Sequence, residues 1–227
     1  VITIDGTVST TTQWMITNDS ELTLRGTGTY TCPKGIVRNN GTLIVEGGTW
    51  ETTINQSGTA FYNNDANAVL TLKDVDVNAA FFAVAGIGTI NIEGGSISST
   101  SSNKYGSWAY TIRAENNCQM TLKDVTVEGV QGCIAAIGGS HILCDNVTSV
   151  AKESEPGRGD AFYALYAASE GIIEVLSGNY YSDRTPCAYA SNDDIPGNTV
   201  GGFILKGGHF SSQPLSASNT PWTPEEG

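Results

Sequence analysis

The residues best equipped for chemistry crowd into three stretches. These are Lys104, Tyr105 and Trp108; then Lys152, Glu153, Glu155, Arg158 and Asp160; then Tyr181, Asp183, Arg184, Asp193 and Asp194. An aromatic ring offers a flat apolar surface to a sugar face, and charged side chains make strong hydrogen bonds to its hydroxyls. Tyr105, Trp108, Arg158, Asp160, Tyr181, Asp183, Arg184, Asp193 and Asp194 are therefore the candidate glycan-binding residues. Two carboxylates about 5–9 Å apart would also suit glycosidic hydrolysis. Spacing along the chain assigns none of them a catalytic role. The two histidines, His141 and His209, flank short apolar segments and are expected to face solvent. Cys32, Cys118, Cys133, Cys144 and Cys187 form no Cys-x-x-Cys pair, so they are read as buried small hydrophobes, with no metal site and no cofactor expected.

What must position these stretches is a repeat. Leu22-Thr-Leu-Arg25, Leu43-Ile-Val-Glu46, Leu70-Thr-Leu-Lys73, Ile90-Asn-Ile-Glu93, Met120-Thr-Leu-Lys123, Ile142-Leu-Cys-Asp145, Ile173-Glu-Val-Leu176 and Phe203-Ile-Leu-Lys206 superpose, with Ile2-Thr-Ile-Asp5 as an earlier copy. The anchors are Ile4, Leu24, Val45, Leu72, Ile92, Leu122, Cys144, Val175 and Leu205. Alternation of apolar and polar residues within each copy marks a strand with one buried face. A tight turn follows each anchor, written Gly47-Gly48, Asp74-Val75, Gly94-Gly95, Asp124-Val125 or Gly207-Gly208, and leads into a second strand. A third strand repeats upstream at Phe82 and Val84, Ile112 and Ala114, Ile134 and Ala136, and Leu165 and Ala167. Three short strands per unit of about 20–30 residues is the pattern of a stacked solenoid.

The expectation is an all-β, single-stranded parallel β-helix of about nine coils, each of three short strands. It spans residues 1–212, and a capping tail over 213–227 carries Pro214, Pro221, Trp222 and Pro224. The first strand starts almost at Val1, so a neighbouring domain of a longer chain, or another chain, is expected over the first coil. The longest coils follow Ile92, Cys144 and Val175, and their surplus residues are the three chemistry-bearing stretches. Asp5, Arg25, Glu46, Lys73, Glu93, Lys123 and Asp145 follow the anchors with alternating sign, a ladder expected to specify register. Asp19, Asn40, Asn67 and Asn117 are placed in turns between strands, a structural role.

These stacked coils and the partial Asn ladder resemble the right-handed parallel β-helix, or pectin-lyase-like, superfamily. A narrower resemblance lies at Lys206-Gly-Gly-His-Phe-Ser-Ser-Gln-Pro214, which is similar to a Gly-Gly-Thr-Phe-Ser-x-x-Pro pattern in secreted or cell-surface repeat proteins of gut bacteria. The first resemblance implies a right-handed sense for the coils, and the second a secreted or surface location on a bacterium. Of the Asn-Thr-Asp, Asp-Asp, Gly-His-Gly and Arg-Ile-Lys segments of polygalacturonase-like relatives, only Asp193-Asp194 has a counterpart here. The leading expectation is thus a non-enzymatic display or adhesion module that binds a polysaccharide or host glycan. The alternative is a divergent polysaccharide lyase or glycoside hydrolase using the long-loop side.

Composition narrows the partners further. With 23 acidic against 11 basic side chains the formal net charge is −12, which disfavours nucleic acid and anionic membrane surfaces. The longest apolar run, Ala79 to Ala85, is too short to insert in a bilayer.

Overall fold

A computed structural model describes the chain except residues 12, 55–57, 102–108, 155–161, 184–185, 192–200 and 216–227. The described residues form strands and turns, with three parallel sheets. The first sheet runs through nine strands from Ile2–Thr3 to Gly202–Leu205, the second through nine from Thr7–Ser9 to His209–Phe210. The third holds eight, from Trp14–Asn18 to Ala188–Ser191. Within every sheet the strands stack in chain order, and the chain visits first, second and third sheet in rotation. The arrangement is consistent with a parallel β-helical solenoid.

Register follows the apolar pattern. Leu24, Val45, Leu72, Ile92, Leu122, Cys144, Val175 and Leu205 are successive Cα partners along the first sheet, all buried. Tyr30, Trp50, Val77, Ile97 and Val127 make the matching buried row of the second. Val37, Phe61, Val84, Ile112, Ile134 and Leu165 do so in the third. Each of these large side chains withdrawn from water contributes about 1.5–3 kcal/mol, so the core is one continuous column. Tyr30 lies flat on Trp50, with ring centroids 3.7 Å apart and planes 3° from parallel. All five cysteines are buried and none is in a disulfide. Burial in this apolar column pushes the thiols of Cys118, Cys133 and Cys144 up to about 12.

Five of the turns from first to second sheet place a left-handed residue directly after the strand, and in two of them the next residue, Gly48 (φ 84°) or Gly95 (φ 79°), has positive φ as well. Gly47 (φ 77°), Asp74 (49°), Gly94 (69°), Asp124 (52°) and Asn146 (53°) supply that first residue, the residues that reach this region at least cost. Their N–H groups continue the ladder: Gly47 donates to the Lys73 carbonyl at 2.9 Å and Asp74 to that of Glu93 at 2.9 Å.

Three expectations need correction. In the first coil Ile2, not Ile4, is the Cα partner of Leu24, and Thr3 is that of Arg25. Ile4 instead lies in the turn, its carbonyl accepting from Gly28 N–H at 3.0 Å, while Asp5 accepts from Thr27 N–H at 3.0 Å. Asp5 is therefore not a rung of the charge ladder. Arg25 to Asp145 do hold consecutive rungs, and among the described residues Arg25–Glu46, at 3.4 Å, closes as an ion pair.

In the third sheet Val84 and Gly86, rather than Phe82 and Val84, match Ile112 and Ala114. The link from Gly86 to the strand Thr89–Glu93 is two residues shorter than its counterpart from Ala114 to Gln119–Lys123.

The asparagine ladder is double. Asn18, Asn39 and Asn63 form a buried ladder at the inner end of the third sheet, with Asn18 Nδ2 donating to Asn39 Oδ1 and Asn39 Nδ2 to Asn63 Oδ1, both at 2.7 Å. Beside it Asn40 donates to Asp19 at 2.6 Å and Asn64 to Asn40 at 2.7 Å. Asn67 instead belongs to a local turn with Asp65.

At the far end of the third sheet, Leu215 pairs in parallel with Tyr189. Its N–H donates to the Ala188 carbonyl at 3.0 Å and its carbonyl accepts from Ala190 N–H at 2.9 Å. Leu215 thus lies along that sheet edge.

Candidate functional site

The chemistry-bearing stretches fall where the chain changes sheet. Residues 100–109, 152–164 and 183–187 join second-sheet strands to third-sheet strands, and residues 192–201 join the third sheet back to the first. Every sequence-derived candidate other than Tyr181 falls on one of these connections in the chain. Tyr105, Trp108, Arg158, Asp160, Arg184, Asp193 and Asp194 lie outside the described residues.

Tyr181 and Asp183 are described, and they are together. Tyr181 sits on the outer side of the strand Gly178–Ser182, 45% exposed. Its hydroxyl donates to Asp183 Oδ1 at 2.8 Å, and Asp183 Oδ2 accepts from Glu153 N–H at 2.8 Å. The carboxylate holds the Tyr181 hydroxyl proton more tightly than in free tyrosine, raising its pKa. Both Asp183 oxygens are engaged, so the pair reads as an oriented ring beside a tied-down loop. It does not present a free acid or base.

The third sheet itself carries a feature the sequence reading passed over. One outer row, in strict Cα register, reads Thr17, Arg38, Tyr62, Ala85, Arg113, Ala135, Tyr166 and Tyr189. Rings from the first position of several strands join it. Trp14 stacks with Tyr62 at 6.3 Å, Phe82 lies under the Arg113 guanidinium at 5.7 Å, and Tyr110 stacks with Tyr166 at 5.2 Å. Tyr163 bridges Tyr166 and Tyr189, at 5.9 and 5.1 Å. Tyr110, Tyr166, Ala135 and Ala168 form a second apolar cluster separate from the main core.

Local sequence makes room for the rings. A side chain at Gly35 would meet the Trp14 ring at 2.4 Å, and one at Gly132 would meet the Tyr110 ring at 2.5 Å. Each of these two rings therefore lies over a glycine of the next strand. Tyr110 and Tyr166 are fully covered, whereas Trp14, Tyr62, Phe82, Tyr163 and Tyr189 are half-buried and keep part of their surface in solvent. Arg113 is neutralised by Glu115 at 2.6 Å. The signal for this row was present: Tyr62, Tyr166 and Tyr189 each directly follow an inward residue, Phe61, Leu165 and Ala188.

On the first sheet, Glu174 receives Lys206 Nζ at 2.8 Å and His141 Nε2 at 3.3 Å. Lys206, and His141 to a lesser degree, hold the Glu174 carboxyl below its usual range. His141 is thus half-buried beside a carboxylate, while His209 is exposed as expected. Among the described residues no group of three or more His, Cys, Asp or Glu is placed to hold a metal ion. Comparison with family models, with curated proteins and with solved structures returned no match.

Proposed function

We propose that the protein is a non-enzymatic, glycan-binding display or adhesion module, secreted or held on a bacterial surface and joined to further domains of a longer chain. In this reading the three sheets are the faces of a right-handed β-helix of nine coils over residues 1–212, and residues 213–227 cap its last coil. The backbone pairing of Leu215 with the third sheet supports the cap.

The observation that carries the glycan reading is the row of half-buried rings on the outer face of the third sheet, whose strands are joined to the rest of the chain by the connections that hold eight of the nine sequence-derived candidates. Rings fixed by a rigid sheet supply apolar contact at little entropic cost, and the polar groups around them supply orientation. The tied-down Asp183 favours binding over a lyase or hydrolase. The test is a panel of host, plant and bacterial polysaccharides scored for both retention of the protein and loss of chain length. Retention without shortening is the expected result; shortening of any polysaccharide would install the enzyme reading instead.

A further inference from the structure

The proposed glycan reading leaves open which part of the third-sheet outer face engages the ligand, in what direction, and of what charge. We infer that the end of the third-sheet outer face carrying Trp14, Tyr62 and Phe82 is a binding site for an uncharged, extended polysaccharide running along the rod axis, across the strands. This rests on the glycan reading and refines it.

Direction follows from register. Trp14, Tyr62 and Phe82 stand on the first, third and fourth strands of the sheet, and Arg113 on the fifth. At about 4.8 Å per strand the set spans roughly 19 Å along the axis. A ligand lying parallel to one strand would meet a single rung. One crossing the strands meets a ring or a polar head at most steps, and the rung spacing is close to the length of one sugar residue in an extended β-linked chain.

Charge follows from the pairing. Arg113 is neutralised by Glu115, Arg38 is exposed to solvent, and the chain as a whole carries −12. A polyanionic chain would therefore be repelled overall and met locally by little uncompensated positive charge. The polar groups at the strip also favour hydroxyls. The Glu115 carboxylate can only accept hydrogen bonds and the Arg113 guanidinium can only donate. A sugar hydroxyl does both. A proline-rich peptide, which also docks on aromatic-lined surfaces, has no N–H to give at its prolines.

The test uses the full chain and two soluble probes, a neutral β-linked glucan and a polygalacturonate, with binding read by affinity electrophoresis and titration calorimetry. Tyr62→Ala and Phe82→Ala are the ring variants, and Ile172→Ala, on the first sheet, is the control for truncating a surface side chain. Circular dichroism and melting temperature verify folding of all three. The expected result is binding of the glucan, little changed by salt and strengthening with oligosaccharide length. Each ring variant should lose roughly threefold to tenfold in affinity, the scale of one aromatic stacking contact, and the control none. Glucan binding unaltered in both folded ring variants would overturn the site while leaving the glycan reading in place. Preference for the polygalacturonate, or displacement by a proline-rich peptide with no glucan bound, would overturn the ligand class. Failure of the wild-type chain to bind the glucan would overturn the ligand class, and failure across the whole polysaccharide panel would overturn the glycan reading with it.

Discussion

Asn39 ties three coils together with one side chain. Its Oδ1 accepts from Asn18, and its Nδ2 donates to Asn63 and to the backbone carbonyls of Gly41 and Val69, at 2.7–3.0 Å. The amide is fully buried, so each partner left unpaired costs about 1–3 kcal/mol. Asn39→Ala is expected to destabilise by about 2–3 kcal/mol and to lower the melting midpoint by roughly 5–10 °C, measurable by calorimetry. Replacement of the half-buried outer Asn40 should cost less. Glu174 gives a pH-dependent contrast. Its folded pKa is depressed, first by Lys206, so its stabilisation is present above the unfolded carboxyl pKa and lost as pH falls through the folded one. Water screens the surface pair to under about 1 kcal/mol. Glu174→Gln should melt slightly below wild type at pH 7, and the difference should begin to shrink as pH falls below the ordinary glutamate pKa of about 4.3.

At the level of strands and turns, the decisive element is the left-handed residue that follows five of the first-sheet strands. Gly47 has φ 77°, and an added Cβ would lie 2.8 Å from the Gly26 carbonyl oxygen one coil below. Gly47→Ala is expected to cost at least about 1 kcal/mol in urea unfolding. The same turns explain what the sequence made legible. The inward rows of all three sheets were readable because burial imposes period two. The register errors at Ile4 and Phe82 were both slips of two residues, and such a slip returns every side chain to the same face, leaving the apolar pattern unchanged. Turn length decides the register there, and it shows only when neighbouring coils are in contact. The buried asparagines were missed for a related reason: in Asn18-Asp19, Asn39-Asn40 and Asn63-Asn64, strand alternation carries the first residue inward, while turn chemistry draws attention to the second.

For the whole molecule, the candidate site was only partly legible. Composition and coil length located the connections that lead into and out of the third sheet, and Tyr181 and Asp183 do meet. The aromatic row was not found, because apart from Tyr163 and Tyr166 its rings are 20 or more residues apart in sequence and become neighbours only through stacking, as Trp14 and Tyr62 do. A solenoid of this kind converts a long periodicity in sequence into a continuous face, and a linear ligand is what such a face suits. The most direct measurement is to incubate the full chain with a neutral β-linked glucan, then to score retention of the protein on that glucan and the glucan's size by gel filtration. Retention with the polysaccharide's size unchanged is the predicted result. Absence of retention, or shortening of the polysaccharide, would contradict it.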